Sequence, residues 1–144
     1  MNATETIFAL ALASNVQQQK NFTFAYEQIS SLGTVEFSPI YEIPCRDGIG
    51  ADYWNSACLL KSQLHVDEVT EILKKLEAQS GRVRPSHHIS LDIDVIAWGE
   101  TLEHMQFNPK KLPLALDVKI PLYDLWQHAD LAYLQSMHYP VITM

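Results

Sequence analysis

The sequence contains little cysteine, no excess of positive charge and no long apolar run. Its two cysteines, Cys45 and Cys58, lack metal-ligand spacing and are too few for a disulfide framework, so reduced thiols are expected. A net charge of −7 argues against non-specific binding of nucleic acid through a basic surface. The apolar run at residues 7–13 is too short to span a bilayer, and no basic residue precedes it as in a signal peptide. We therefore predict a cytoplasmic protein that binds neither nucleic acid nor a membrane.

The composition fits one packed domain. The chain has 144 residues, of which 47% are hydrophobic, and this predicts a single domain spanning residues 1–144. No repeat or low-complexity stretch divides it. The negative net charge still allows a small phosphate ligand, because a local cluster of Arg and Lys can reverse the field inside one cleft. We expect a monomer that binds small molecules.

Apolar periodicity and turn residues predict the order β-α-β-β-α-β. The predicted elements are a strand at 7–13, a helix at 17–32, strands at 34–43 and 53–61, a helix at 66–76 and a strand at 89–98. Pro39 predicts an edge or a bulge in the second strand. This order is typical of an α+β, ferredoxin-like sandwich, with one antiparallel sheet and two helices packed on one face. From residue 100 on we expect mostly loop, with a short helix at 122–133.

Two aspartates, Asp92 and Asp94, interrupt the last predicted strand. Side chains two apart on a strand point to the same face, so the carboxylates should lie within a few ångströms of each other. Like charges placed this way repel, and burying them unpaired is unfavourable. A pair of carboxylates suits Mg²⁺. The pattern indicates a metal site, and the alternative is an edge strand on which both aspartates face water.

Several motifs in consistent order and spacing give the chain a family resemblance. They are Ala13-Ser14-Asn15, Ser38-Pro39-Ile40-Tyr41-Glu42, Asp52-Tyr53-Trp54-Asn55-Ser56-Ala57, Glu77 with Gly81-Arg82-Val83-Arg84, Leu91-Asp92-Ile93-Asp94, Trp98-Gly99 and Pro121-Leu122-Tyr123-Asp124-Leu125. Through these motifs the chain resembles the 6-hydroxymethyl-7,8-dihydropterin pyrophosphokinases of folate biosynthesis. The resemblance implies transfer of a pyrophosphoryl group from ATP to the hydroxymethyl group of a reduced pterin, with two Mg²⁺ ions.

The resemblance also implies roles for individual residues. The implied catalytic residues are Asp92, Asp94 and Arg82, and the two aspartates would be the metal ligands. Tyr53 would stack on the pterin and Asn55 would hydrogen-bond its polar edge. The implied lining of the same slot is Ile43, Pro44 and Cys45. The implied nucleotide-binding residues are Glu77, Arg82, Arg84 and Lys110, with the guanidinium groups on phosphates.

Two segments depart from the family on the nucleotide side. The loop before the aspartate strand, residues 85–89, lacks the family's phosphate-binding arginine. Residues 107–117 lack its later His and Arg, and Asp117 falls near the place of its second pterin-stacking aromatic. The candidates to supply the missing charge are His87, His88, Lys110 and Lys111. Phe107 is the candidate for the missing ring.

Three hypotheses remain. The first is a divergent pterin pyrophosphokinase with a rebuilt ATP site. The second is a catalytically impaired paralogue that binds a pterin-like ligand or a folate-pathway partner. The third is a Zn²⁺ or Mn²⁺ site formed by His87, His88 and the aspartates. Adjacent histidines cannot both point into one site on a strand face, which argues against the third hypothesis. The intact Leu91-Asp92-Ile93-Asp94 motif and the Tyr53 and Asn55 pair favour the first, and the paralogue is the runner-up.

Overall fold

The computed structural model describes residues 4–44, 51–134 and 138–144. The elements in chain order are β1 (Thr6–Ser14), α1 (Gln18–Ser30), β2 (Thr34–Phe37), β3 (Ile40–Ile43), β4 (Tyr53–Ser62), α2 (Val66–Gln79), β5 (Asp92–Gly99), β6 (Met105–Phe107), α3 (Leu116–Leu125) and β7 (Val141–Ile142). All the strand pairings are antiparallel, and the sheet runs β6-β5-β1-β4-β3-β7, with β2 also paired to β4. The predicted α+β, ferredoxin-like fold is confirmed.

The central strand β1 separates large from small side chains. Phe8, Leu10 and Leu12 belong to the core beneath α1 and α2, whereas Ala9 and Ala11 belong to a second cluster on the opposite face. This alternation follows from the two-residue period of a strand. The large residues fill the space under the helices, and the alanines leave room on the other face.

The helices α1 and α2 cover one face of the sheet with an apolar stripe each. Their buried residues recur at helical spacing, as in Phe22, Ala25 and Ile29 of α1. The start of α2 is closed by a capping box, in which the backbone N–H of His65 donates to the Glu68 carboxylate over 3.0 Å. Truncating a fully buried residue such as Leu73 to Ala should cost about 2–5 kcal/mol of stability.

The third helix, α3, packs on the opposite face and corrects the predicted helix at 122–133. It spans Leu116–Leu125 and contains Pro121, and residues Ala129–Leu131 form a separate 3-10 turn. Proline lacks an N–H and usually ends a helix. Here the helix continues through it because Ile120 and Leu122 are buried. Burial against the sheet therefore outweighs the missing hydrogen bond.

The strands also differ from the sequence-based expectation in three ways. The predicted strand at 34–43 is divided in two at Ser38 and Pro39, in line with the expected irregularity at the proline. The aspartate strand begins at Asp92 rather than at residue 89. The short strands β6 and β7 lie in the stretch expected to be mostly loop and extend the sheet at both edges. No described helix has the length and apolar character needed to cross a membrane.

Candidate active site

Asp92 and Asp94 lie at the start of β5, on the face of the sheet that carries α3. They pair in register with Ala13 and Ala11 of β1, whose small side chains leave space above the sheet. Both aspartates line a cavity of about 270 Å³. The other lining residues come from four further segments and are Ala11, Leu12, Ala13, Tyr53, Asn55, Ile89, Asp117 and Val118. The expected same-face pair of carboxylates therefore opens into a cavity.

Asn55 is the most informative polar residue of this cavity. Its partner in the sheet is Ala13, which is also the partner of Asp92, so the amide and the carboxylate flank one alanine. The Asn55 residue is only 4% exposed. Its side-chain Nδ2 has no hydrogen-bond partner among the described residues. A buried amide without a partner is unfavourable, and a ligand that accepts its hydrogen bond removes that cost.

Glu77 of α2 joins the two aspartates in an acidic cluster. Its Oε2 accepts a hydrogen bond from the backbone N–H of Ile93 over 2.8 Å. Burial raises the pKa of Glu77 to about 7, and the negative charges of Asp92 and Asp94 add to the shift, while the bond from Ile93 opposes it. Burial, followed by the charge of Asp94, likewise raises the pKa of Asp92. Three carboxyl groups with little solvent would gain from a nearby cation.

Lys111 supplies one such cation from a 3-10 turn at Pro109–Lys111. Its Nζ lies 2.9 Å from Oδ1 of Asp94. Burial alone would lower the pKa of Lys111, but the hydrogen bond to Asp94 and the charges of the three carboxylates raise it. The ammonium is therefore held in its charged form beside the acidic cluster.

Asn108 attaches this turn to β5. Its backbone N–H donates to the carbonyl of Ile96 over 2.8 Å, and its Nδ2 donates to the carbonyl of Val95 over 2.9 Å. These carbonyls are adjacent at an irregularity of β5, where the register against β1 shifts. The backbone N–H of Lys111 then donates to the carbonyl of Asn108 over 3.0 Å. The irregular strand thus fixes the position from which Lys111 reaches Asp94.

A groove of about 710 Å³ lies on the other side of the aspartates. Its lining includes both aspartates, Glu77 and one face of α2. Its cationic lining residues are Lys74, Arg84, Lys110 and Lys111. A guanidinium nitrogen of Arg84 lies 3.5 Å from the Glu77 carboxylate, with 63% of the Arg84 side chain exposed. The groove thus joins a set of positive charges to the carboxylate pair.

Arg82 is placed differently from Arg84. Its guanidinium Nη1 donates to the carbonyl of Val83 over 2.9 Å, and its Nε is buried without a hydrogen-bond partner among the described residues. Its positive charge acts to lower the pKa of Asp92. Arg82 therefore lies close enough to influence the carboxylates electrostatically, while its side chain is partly engaged with its own loop.

Asn15 holds the loop that leads into β5. Its Nδ2 donates to the carbonyl of His87 over 2.7 Å, and its Oδ1 accepts from the backbone N–H of Ile89 over 2.6 Å. His87 and His88 are exposed. Within the ranges that the structure describes, no group of three or more His, Cys, Asp or Glu side chains is arranged to hold a metal ion. The hypothesis of a zinc site with the two histidines therefore has no geometric support.

The start of α3 forms part of the cavity wall, and one contact fixes this helix to the sheet. Tyr41 of β3 donates a hydrogen bond through its hydroxyl to the Asp124 carboxylate. Burial and this bond raise the pKa of Tyr41. The contact holds α3 where Asp117 and Val118, in its first turn, line the cavity.

Phe107 does not lie in the cavity wall, contrary to the suggestion that it supplies the second ring. Its ring stacks on Trp126 with centroids 5.4 Å apart and meets the edge of His128 at 5.3 Å. It packs against the second apolar cluster, beneath α3. The packing of β6 against the cluster beneath α3 decides the position of Phe107. The spacing of residues in the sequence does not predict this packing.

The remaining residues predicted on the pterin side lie at the end of β3. Ile43 is buried and pairs with Tyr53, and Pro44 follows it with its side chain exposed. Cys45 lies outside the described residues. The structure thus brings together Tyr53, Asn55 and the two aspartates around one cavity, with Ile43 next to Tyr53 in the sheet.

The chain matches one known protein family over most of its length. The family model described as 7,8-dihydro-6-hydroxymethylpterin-pyrophosphokinase (HPPK) matches residues 9–131 of the 144. The chain belongs to the HPPK family. No curated protein matches it. The HPPK family acts in folate biosynthesis, binds a pterin and ATP, and uses Mg²⁺, so membership supports a pyrophosphokinase assignment.

The candidate site of this chain has donor chemistry that fits Mg²⁺. Mg²⁺ is commonly held by one or two carboxylates, with water and substrate phosphates completing its octahedral set. Asp92 and Asp94 supply the two carboxylates between the cavity and the groove. A protein-only cluster of three or more ligands is not needed for this kind of site.

Four residues of the site have roles that motif reasoning did not assign. Asn15 and Asn108 position segments, Lys111 pairs with a predicted metal ligand, and Asp117 lines the cavity. The alternation of large residues and alanines along β1 is the one sequence signal that could have indicated the cavity floor.

Proposed function

We propose that this protein transfers a pyrophosphoryl group from ATP to 6-hydroxymethyl-7,8-dihydropterin. The observation that carries the proposal is the buried Nδ2 of Asn55, which has no hydrogen-bond partner in the described part of the chain and lies in a cavity lined also by Tyr53 and the two aspartates. An amide offers one donor and one acceptor face, which suits the polar edge of a pterin. The cavity volume, about 270 Å³, is near the lower end of the range for small-molecule sites, roughly 300 Å³.

The residues around the cavity are proposed to bind different parts of the pterin. Tyr53 offers an aromatic face for stacking on the bicyclic ring. Asn55 fixes the orientation of the ring in its plane, and Ile43, Pro44 and Cys45 are proposed to line the same slot. Ala13 of β1 lies between Asn55 on β4 and Asp92 on β5, so the amide and the carboxylate are separated by one strand. A ring held this way has room to direct its hydroxymethyl group toward the carboxylate pair.

The groove beyond the aspartates is the proposed ATP site. The nucleotide-binding residues we propose are Glu77, Arg84 and Lys110 in the groove, and Arg82, which lies beside the groove next to Glu77 and Arg84. Asp92 and Asp94 would hold two Mg²⁺ ions, and bound Mg²⁺ supplies neutralisation of the charge on the phosphate oxygens. Arg82 is proposed to be catalytic through its positive charge, which already acts on Asp92 in the protein. Positive charges around a triphosphate lower the cost of the charge that spreads during transfer.

The proposed reaction is one displacement at phosphorus. The hydroxyl oxygen of the pterin forms a bond to the β-phosphorus of ATP, and its proton is released to solvent. The bond from the β-phosphorus to the oxygen that bridges it to the α-phosphorus breaks, and AMP leaves with that electron pair. The chain's contribution is to hold the two substrates in line, which itself accounts for a large part of the rate of such transfers.

The direct test is AMP release from ATP, Mg²⁺ and 6-hydroxymethyl-7,8-dihydropterin, followed in a coupled assay. We expect AMP and the pterin pyrophosphate in equal amounts, and no AMP when the pterin is left out. Ser56→Ala is a suitable control, because Ser56 lies beside Asn55 on β4 and bonds to Tyr26 on the opposite face. No turnover at high enzyme concentration, with the substrates bound, would reject the transferase activity.

The second candidate function is that of a paralogue that binds a pterin-like ligand or a folate-pathway partner without transfer. It is favoured by the engagement of the groove's cations within the protein, where Arg84 pairs with Glu77 and Lys111 pairs with Asp94. Calorimetry separates the two candidates. Pterin affinity without affinity for ATP supports the paralogue, and affinity for both with AMP release supports the enzyme.

Both candidates use a site contained in one chain. The described residues of a single copy line the cavity and the groove, which supports action as a monomer. The cytoplasmic location remains a prediction from the sequence.

A further inference from the structure

Lys111 forms an ion pair with one member of the carboxylate pair, and family membership gives it no role. Its ammonium nitrogen lies 2.9 Å from Oδ1 of Asp94, and 37% of its side chain is exposed. Its neighbour Lys110 lines the same groove and is exposed. The backbone of the turn is tied to β5 through Asn108, so only the flexible side chain of Lys111 decides where the ammonium lies.

An ammonium on Oδ1 of Asp94 occupies a place that a divalent ion would take. Mg²⁺ demands short, nearly octahedral bonds, and an ammonium 2.9 Å from Oδ1 repels a second cation that approaches this oxygen. The two cations therefore compete for Asp94. The side chain of Lys111 is partly exposed and its stem is flexible, so it can leave without moving the backbone.

We infer that Lys111 is a resident counter-ion of Asp94 that a divalent ion displaces, and that the displaced ammonium then binds the phosphates in the groove. The inference rests on the proposed function for the identity of the nucleotide. It assigns to Lys111 the role of phosphate contact, at the segment where the family's later His and Arg are missing from this sequence. It also means that Lys111 lowers the affinity for a divalent ion when no nucleotide is present.

The two parts of this role have opposite signs when the charge is removed. Without Lys111, a divalent ion has no competitor on Asp94. The negative charge of the three carboxyl groups is then less neutralised, so metal alone should bind more tightly. The complex of metal with nucleotide should bind less tightly, because a charge-assisted contact to phosphate is lost. A residue that only stabilises the fold would change both affinities in the same direction or change neither.

The experiment measures both affinities on the full chain with Lys111→Ala. Mn²⁺ serves as the probe for metal alone, followed by the loss of its free electron paramagnetic resonance signal. The non-cleavable analogue α,β-methylene ATP with Mg²⁺ serves as the nucleotide probe in calorimetry. We expect Mn²⁺ binding to tighten by roughly tenfold and nucleotide binding to weaken by roughly tenfold.

Two further variants control for charge and for folding. Lys75→Ala removes an exposed lysine that pairs with Glu71 on α2, away from the aspartates, and should change neither affinity. Lys111→Arg keeps the charge and should stay within a few-fold of the original protein in both measurements. Thermal unfolding of each variant checks that the fold is retained.

Unchanged or weaker Mn²⁺ binding in Lys111→Ala would overturn the inference, as would unchanged nucleotide affinity. Failure to detect Mn²⁺ on either protein also overturns it, because removal of the competitor should reveal the site. The proposed function fails separately, if the original protein binds metal and nucleotide but neither binds the pterin nor releases AMP.

Discussion

The cavity beside Asn55 and the groove beside Lys111 share two aspartates but are built from different parts of the fold. The cavity floor consists of paired strands, in which Ala13 lies between Asn55 and Asp92 in register. The groove is formed by α2, a 3-10 turn and the loop at Arg84. Strand pairing fixes side chains to within a narrow range, whereas turn residues depend on a few side-chain contacts. The proposed pterin side is therefore pre-formed, and the proposed nucleotide side is held together by the ion pairs of Arg84 with Glu77 and Lys111 with Asp94.

The largest effect should come from the residues that both regions share. Asp92→Asn should lower turnover by roughly a thousandfold or more, because it removes a carboxylate from the metal-binding pair. The same change should raise the stability of the metal-free protein at pH 8 by about 1 kcal/mol, because it removes repulsion from Asp94. Steady-state AMP release and urea unfolding measure the two effects.

Asp130→Asn is the control for this change, because Asp130 is an exposed carboxylate in the turn after α3. It should alter neither turnover nor stability appreciably. Loss of stability in Asp92→Asn at pH 8 would show that the carboxylates do not repel each other as the structure indicates.

Asn55→Ala tests the pterin side alone. We expect pterin affinity to weaken by roughly 10- to 100-fold, the effect of one buried polar contact of about 1.5–3 kcal/mol, with nucleotide affinity unchanged. Calorimetry with each ligand measures this. Ser56→Ala is the matched control, because it is adjacent on β4 and loses the 2.9 Å bond with Tyr26 on the opposite face. Equal losses for both ligands in Asn55→Ala would mean that the two regions are not separable.

The acidic cluster should make the stability of the metal-free protein depend on pH. The pKa of Glu77 is raised from 4.5 to about 7 in the folded protein, so the folded state holds this proton more strongly than the unfolded chain. The resulting stabilisation is complete below about pH 4.5 and is lost as the pH rises through about 7. At about 1.4 kcal/mol per pH unit the full loss would be about 3 kcal/mol, and solvent screening of the partly exposed cluster reduces the expected loss to about 2 kcal/mol in urea unfolding.

Glu77→Gln should remove this part of the pH dependence, because the amide does not titrate. Glu71→Gln, an exposed change on the same helix, should leave it unaltered. An unchanged slope between pH 5 and 8 in Glu77→Gln would contradict the assignment of the proton to Glu77.

The smallest effect should come from Arg84, on the exposed side of the groove. Its pair with Glu77 spans 3.5 Å, and most of its side chain is in solvent. Arg84→Ala should therefore lower stability by less than about 1 kcal/mol and weaken nucleotide binding by only a few-fold. A loss of nucleotide affinity larger than that of Lys111→Ala would reverse the ranking of the two cations.

Sequence reasoning was accurate where short-range patterns decide structure. Alternating apolar residues and helical spacing gave the β-α-β-β-α-β order, and the two-residue separation of Asp92 and Asp94 gave their common face of the sheet. It was wrong about α3, because Pro121 is an unfavourable helix residue and only burial against the sheet outweighs that preference. It named Phe107 as the candidate for the second pterin-stacking ring, although the Phe107 ring stacks on Trp126 outside the cavity wall.

The sequence by itself determined the family, the sheet and the residue types of the site, since motifs and periodicity are local properties of the chain. The tertiary structure alone decided which of two neighbouring lysines forms an ion pair with Asp94. Lys110 and Lys111 are equivalent in sequence, and the bonds from Asn108 to an irregular part of β5 select the second of them. Such contacts join residues that are distant along the chain and depend on the angle at which a turn meets a strand, which no local pattern encodes.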